Sequence, residues 1–278
     1  MEEFSVSMTL DLKLTKLKNI LKDMGSVLIA YSGGVDSSFL AKVAFDMLGE
    51  KSLAVTATSE TYPECELDEA ITTAKTIGIN HLVIHSNELT DPNFRKNPQD
   101  RCYYCKSTLF LKLKAIQVEQ GISIVVDGAN LDDLQDYRPG HRAKEEQGVR
   151  SPLQEVGMTK EDIRLLSKEL GLSTWNKPSL ACLSSRIPYG EEITVKKLKM
   201  IDQAETVLRQ LGFKERRVRY HQEIARVELP RQDFAKLTDA VIEEIVTRLK
   251  GLGFTYVTLD LQGLRSGSMN EVLKEEGM

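Results

Sequence analysis

The stretch Ser32-Gly33-Gly34-Val35-Asp36-Ser37 follows the apolar run Val27-Leu28-Ile29-Ala30-Tyr31 and precedes the helix-patterned Phe39-Leu40-Ala41-Lys42-Val43-Ala44, so it occupies a strand-to-helix turn. Such a turn binds anions. Two glycines let the backbone approach closely, serine hydroxyls and helix N-terminal amides donate, and the positive end of the helix dipole favours negative charge. Asp36 stands out, because a carboxylate beside a polyphosphate repels it unless a magnesium ion neutralises both. On this reading Ser32, Gly33, Gly34 and Ser37 hold phosphate and Asp36 holds magnesium. A Gly-Gly turn that merely redirects the chain has no need of Ser, Asp and Ser at these offsets. The lysine of a Walker A loop is absent.

At 278 residues and 41% hydrophobic content the chain can bury one large core and a smaller one. Helical spacing of Leu10, Leu14, Leu17, Leu21 and Met24 predicts an opening helix that ends at Gly25. Further strands are predicted over 53–57, 82–84 and 122–126, with helices near 64–77 and 103–119. Alternating strands and helices, the strands lacking a polar face, imply a parallel sheet covered on both sides, with ligands at the carboxyl ends of its strands. Thr159 and Asp162 form a capping-box pattern for a helix running to about Leu170. After Pro188-Tyr189-Gly190 the pattern changes to helix (194–211), hairpin (217–220 with 224–228), helix (232–249) and strand (255–259). The predicted division is an α/β domain over 1–190 and a smaller α+β domain over 191–278.

A net charge of -4 gives no global positive field, so nucleic acid is not the expected partner and any anion site is local. The sequence shows no basic leader with an apolar core and no apolar run long enough to span a bilayer, which places the protein in the cytoplasm, away from membranes. In that compartment its four cysteines suit metal binding or catalysis better than disulfides.

Cys102 and Cys105 form a C-x-x-C pair, and Cys182 stands far downstream before Ser185 and Arg186. Three thiolates make an incomplete zinc cage, whereas an iron-sulfur cluster held by three cysteines leaves one iron open. A Cys3His zinc site using His81, His85, His141 or His221, a redox dithiol and incidental burial remain alternatives at this level. Cys65 has no thiol neighbour in sequence, and His221 reads as structural or surface. Arg217 and Arg219 alternate onto one strand face with Arg226 across the hairpin, a local cationic patch suited to a phosphate and carboxylates, although arginines on a solvated strand would look the same.

The Ser-Gly-Gly-Val-Asp-Ser-Ser run after a first strand resembles the pyrophosphate loop of the ATP pyrophosphatases, whose fold is of the adenine nucleotide alpha hydrolase type. The rest of the chain is more particular. Asp127-Gly128-Ala129-Asn130, Asp136-Tyr137-Arg138-Pro139-Gly140, Arg150-Ser151-Pro152-Leu153-Gln154-Glu155, Trp175-Asn176-Lys177, Ser184-Ser185-Arg186, Val218-Arg219-Tyr220-His221 and Arg265-Ser266-Gly267 resemble the LarE sulfur transferases. Those enzymes adenylate carboxylates of pyridinium-3,5-biscarboxylic acid mononucleotide with ATP and convert them to thiocarboxylates for the nickel-pincer nucleotide of lactate racemase.

The resemblance implies ATP and magnesium as cofactors, and a homo-oligomer. It also implies that Lys177 stabilises the departing pyrophosphate, that Asp127, Gly128 and Asn130 border the adenylate, that Asp136 is a second magnesium ligand, and that Ser185 and Arg186 orient the acyl-adenylate. Some members sacrifice one cysteine at the position held here by Ala181. Cys102, Cys105 and Cys182 look like the other branch, in which three cysteines bind a 4Fe-4S cluster and a sulfide source renews the sulfur. A tRNA thiolase with a similar loop, an amide-forming relative of NAD synthetase and a nucleotide-binding redox sensor are the competing readings.

Overall fold

The central strand β1 (Val27–Ala30) shows why the sheet is covered on both sides: Val27 and Ile29 enter one apolar cluster while Leu28 enters another, as the two-residue period of a strand requires. The computed structural model describes residues 2–135, 140–178, 181–265 and 267–271. In chain order its elements are α1 (Glu2–Met24), β1, α2 (Val35–Leu48), β2 (Ser52–Thr58), α3 (Glu64–Ile77), β3 (Asn80–His85), α4 (Pro92–Arg95), α5 (Arg101–Glu119), β4 (Ile124–Asp127), α6 (Gly140–Glu146), α7 (Pro152–Glu155), α8 (Lys160–Glu169), α9 (Val195–Gln210), β5 (Arg217–His221), β6 (Ile224–Glu228), α10 (Asp239–Gly251) and β7 (Tyr256–Leu259).

The chain divides into two compact units, the first made of residues 1–59, 64–91 and 100–180 and the second of 60–63, 92–99 and 181–278. The predicted start of the small domain near 191 thus falls inside the second unit. Two earlier segments join it through hydrogen bonds that sequence patterns do not reveal. Leu183 N donates to Thr61 O at 3.0 Å, and the Asn97 side-chain amide donates to the carbonyls of Ile187 (3.2 Å) and Pro188 (2.7 Å). Asn97 sits at φ 54, in the left-handed region that asparagine tolerates.

The first unit is a parallel sheet of order β3-β2-β1-β4. Leu17 and Leu21 of α1, Phe39, Leu40 and Val43 of α2, and Ile163 and Leu166 of α8 form the core on one face. Phe110 and Leu113 of α5 with Ala143 of α6 cover the other. Each of these large side chains contributes roughly 1.5–3 kcal/mol by leaving water. The edge strand β3 departs from the fully covered sheet, since Leu82 and Val83 are 38% and 39% exposed. The capping box forms as the sequence predicts. Thr159 Oγ1 accepts from the Asp162 amide (3.2 Å), Asp162 Oδ2 accepts from the Thr159 amide (3.0 Å), and Lys13 pairs with the same carboxylate at 2.6 Å.

The second unit pairs β5 and β6 as the predicted hairpin, adds β7 parallel to β6, and packs α9 and α10 around Leu208, Phe213, Val218, Val227, Leu249 and Phe254. The helix expected over 232–249 is split. A 3-10 turn covers Arg231–Lys236, and α10 starts after Thr238, whose hydroxyl accepts from the Val241 amide at 3.5 Å.

Candidate functional site

Strand order reverses between β1 and β4, so the crevice beyond their carboxyl ends is where an open α/β sheet receives its ligand. The glycine turn fills that place. Gly33 has φ +66, and a β-carbon there would lie 2.6 Å from Ala70 Cβ of α3, so only glycine fits. Gly128, just past β4, is equally constrained, since a β-carbon would lie 2.9 Å from the Ser37 amide nitrogen. Ser37 Oγ accepts from the Ser32 amide (3.2 Å) and lies 3.1 Å from Ser32 Oγ, which fixes the loop. Gly34 is the N-cap of α2 and makes no side-chain cap bond, so the first amides of the helix keep the donors that an anion takes.

Charged groups border this loop on two sides. Lys177 Nζ lies 2.7 Å from both Glu66 Oε2 and Glu69 Oε2 and donates to Gly33 O at 3.4 Å. Its backbone is held too, the carbonyl accepting from Arg164 at 3.1 Å. Burial opposes the Lys177 charge, but the two carboxylates outweigh it and raise the pKa above the ordinary lysine value. On the other side, Asp36 pairs with Lys160 and accepts from Asn130 Nδ2 at 3.3 Å. Behind them a buried chain runs from Lys144 to Ser151 Oγ (2.8 Å) and on to Asp127 Oδ1, while Gln154 accepts from Lys144 (3.0 Å) and donates to Asn130 O (3.0 Å). Asp127 and Asn130 are therefore set in place from behind.

Ser32, Gly33, Gly34, Asp36, Ser37, Asp127, Gly128, Asn130 and Lys177 thus all belong to the first unit. Asp136, the second magnesium candidate, lies outside the described residues. Asp36 suits a cation in that its carboxylate is partly exposed and shares a surface ion pair. Sequence patterns single out none of Glu66, Glu69, Lys144 and Lys160, and Ser151 and Gln154 stand out only within the Arg150–Glu155 stretch that carries the family resemblance. Only the same-face spacing of Glu66 and Glu69 on a helix hints at a shared partner.

The second unit gathers the arginines. Arg186, 1% exposed, donates through Nε and Nη2 to Glu205 (2.8 and 3.1 Å) and through Nη1 to the carbonyls of Ala181 (2.7 Å) and Cys182 (3.2 Å) and to Ser185 Oγ (3.0 Å). Burial opposes this charge and Glu205 outweighs it, so the Arg186 pKa is raised. Arg219 donates to both oxygens of Glu228 at 3.0 Å, to Ser185 O (2.9 Å) and to Ser268 Oγ (2.9 Å). Both guanidiniums are committed to the protein and shape the Cys182–Arg186 turn. The Arg217 guanidinium makes one hydrogen bond among the described residues, to Arg265 O at 3.1 Å, and burial with the nearby Arg219 and Arg186 lowers its pKa. Arg226 and His221 border a cavity of about 550 Å3 together with Pro188, Tyr189 and Met269. Burial and Arg226 lower the His221 pKa, which keeps its ring neutral near pH 7.

The cysteines are divided. Cys102 and Cys105 stand one turn apart at the start of α5 in the first unit, exposed and half-buried, and Cys182 is exposed in the second. Thiols are the donor type that iron-sulfur clusters take. Within each unit the described residues gather no group of three or more His, Cys, Asp or Glu side chains that could hold a metal. His81 is engaged with Thr56 Oγ1 at 2.8 Å, His85 is exposed at the end of β3, and the His141 side chain is not among those described. Cys65 is half-buried on α3. No described helix is long and apolar enough to cross a membrane.

Parallel sheet, glycine loop at the strand-order reversal and flanking lysine define an α/β protein of the pyrophosphate-loop class, and the NAD synthase family model matches residues 12–101. The chain is 47% identical to an uncharacterised protein of Synechocystis over 95% of its length and 99% of that protein. It is 41% identical to the pyridinium-3,5-bisthiocarboxylic acid mononucleotide synthase of Lactiplantibacillus plantarum, over 95% of this chain and 96% of that one. An uncharacterised protein of Methanocaldococcus jannaschii is 35% identical over 91% and 98%. The chain belongs to the family of pyridinium-3,5-bisthiocarboxylic acid mononucleotide synthases, the LarE family.

Proposed function

We propose that this chain is an ATP-dependent sulfur transferase that converts carboxylates of pyridinium-3,5-biscarboxylic acid mononucleotide to thiocarboxylates. The observation that carries this reading is Lys177 held over the Gly33 carbonyl of an uncapped glycine loop, in a chain of this family. A carboxylate accepts sulfur poorly because its oxygen leaves badly. Attack of that oxygen on the α-phosphorus of ATP breaks the bond to the β-phosphate and leaves AMP on the acyl carbon. Ser32, Gly33, Gly34 and Ser37 bind the pyrophosphate that departs, and Lys177 stabilises the charge growing on it. Asp36 holds the magnesium that screens the phosphates, with Asp127, Gly128 and Asn130 beside the adenylate. A hydrosulfide then attacks the acyl carbon, and AMP leaves with the bonding electrons.

Cys102, Cys105 and Cys182 hold a 4Fe-4S cluster, which when bound supplies an open iron for the hydrosulfide. Arg217 and Arg226 contact the phosphate and free carboxylate of the substrate, while Arg186 and Arg219 hold Ser185 and the Cys182 turn in shape. The protein acts in the cytoplasm as a homo-oligomer, on a small molecule and with a sulfide source.

The test is pyrophosphate release by anaerobically prepared, cluster-loaded protein. Release that depends on the pyridinium mononucleotide is expected, and its absence under these conditions would falsify the proposal. Iron and sulfide analysis of the wild type and Cys182→Ala separates the cluster from the rest: loss of bound iron in the variant is expected, and full retention removes Cys182 from the ligand set.

A further inference from the structure

The arrangement around Lys177 contains a contradiction for a polyphosphate site. Two carboxylates, Glu66 and Glu69, stand 2.7 Å from the ammonium that borders the loop, where their charge repels the incoming anion. They differ in burial. The Glu66 side chain is 10% exposed and the Glu69 side chain 57% exposed. Both come from α3, which also supplies Ala70, the residue that closes on Gly33.

A buried ion pair holds its geometry because separating it strands a charge in a poor solvent, whereas an exposed pair is worth little and exchanges readily. We propose that Glu66 and Glu69 are positioning residues with opposite duties: Glu66 anchors Lys177 beside the loop, and Glu69 is the partner that Lys177 gives up to a bound pyrophosphate group and takes back when that group leaves. This deepens the proposed function and rests on its assignment of the loop to pyrophosphate.

The exchange has a definite electrostatic sense. Without a bound anion the two carboxylates more than offset the ammonium, so this group presents no net positive charge. When phosphate oxygens arrive, the ammonium already lies next to the Gly33 carbonyl and needs only to release its weaker, solvated contact. Glu69 then competes with the product for the same charge, which favours pyrophosphate departure. The other groups that act on this ammonium are the Tyr31 hydroxyl, coupled to Lys177 through charge, and the Gly33 carbonyl.

Calorimetric titration of the full-length protein with inorganic pyrophosphate and magnesium, over a pH series, tests the inference, with Glu69→Gln, Glu66→Gln and Glu66→Asp as variants. Glu69→Gln removes the competitor and should tighten pyrophosphate binding about two- to fivefold, the range an exposed ion pair commands. Glu66→Gln should weaken binding and move its alkaline limit to lower pH. The sign follows from linkage: carboxylates hold the Lys177 pKa up, so removing one lets the proton leave earlier. Glu66→Asp, which keeps the charge, should recover the pH limit. Circular dichroism checks that each variant is folded, and should Glu66→Gln not fold, the sign of the Glu69→Gln effect decides alone.

Weaker or unchanged binding by Glu69→Gln overturns the exchange. A Glu66→Gln protein that folds and keeps the wild-type alkaline limit overturns the anchor. A wild type that binds no pyrophosphate overturns the loop assignment itself, a result distinguishable from both.

Discussion

The charged groups around the glycine loop and those of the Arg186–Arg219 cluster are built on different principles. Around the glycine loop, Lys160 and Asp36 keep 27% and 21% of their side chains exposed, and Lys177 shares itself between a buried and an exposed carboxylate. In the second unit, Arg186 with Glu205 and Arg219 with Glu228 are 1%, 8%, 3% and 0% exposed, and every one of these pairs is bidentate. Exposed pairs can be traded for a ligand at small cost. Buried pairs cannot, because leaving one partner alone strands a charge. The loop thus has a pair that a ligand can displace, while the arginine cluster is a frame in which even Arg226, 28% exposed, pairs with Glu228 at 3.3 Å.

The largest effect expected from this contrast is on Arg186→Ala, which should cost about 3–5 kcal/mol in urea denaturation, against at most about 1 kcal/mol for Lys160→Ala. Equal midpoint shifts for the two variants would erase the distinction. Next comes Gly33→Ala. Forcing a side chain into φ +66 and against Ala70 should cost about 1–3 kcal/mol and weaken ATP binding more than tenfold, read by thermal melting and by nucleotide titration. Unimpaired nucleotide affinity in that variant would remove the loop from the binding site.

The smallest effect concerns Asp162. Burial works against its charge, but Lys13 and the Thr159 cap overcome it and lower its pKa. The stabilisation is therefore complete above the unfolded carboxylate value of about 3.9 and is lost as pH falls through the lower folded value. Asp162→Asn should cost about 1 kcal/mol at pH 7 and progressively less as the pH falls below the unfolded carboxylate value. A loss that persists unchanged in acid would point to the cap geometry alone.

How far the sequence speaks depends on whether a feature is local. The glycine loop, the capping box at Thr159 and the hairpin were legible, because each is written in neighbouring residues whose spacing has one structural meaning. Lys160 and Asp36 are 124 positions apart, and no periodicity announces that pairing. The same holds for Glu66 and Lys177. Arginines at 217, 219 and 226 were visible as a patch, but alternation could not tell which would be consumed by Glu228, since burial is decided by what packs above the strand. The exposed edge of β3 is not legible for a similar reason: its apolar run reads like that of a central strand, and only strand order shows that one side is open.

Residues 60–63 and 92–99 leave the first unit, join the second and return, so the chain passes between the two several times before residue 181. During synthesis those early segments emerge long before their partners. Asn97 must wait for Ile187 and Pro188, and Thr61 for Leu183. Completion of the C-terminal unit is thereby postponed until almost the last third of the polypeptide has left the ribosome, and neither half can be inherited, cut out or exchanged as one continuous gene segment without leaving part of itself behind.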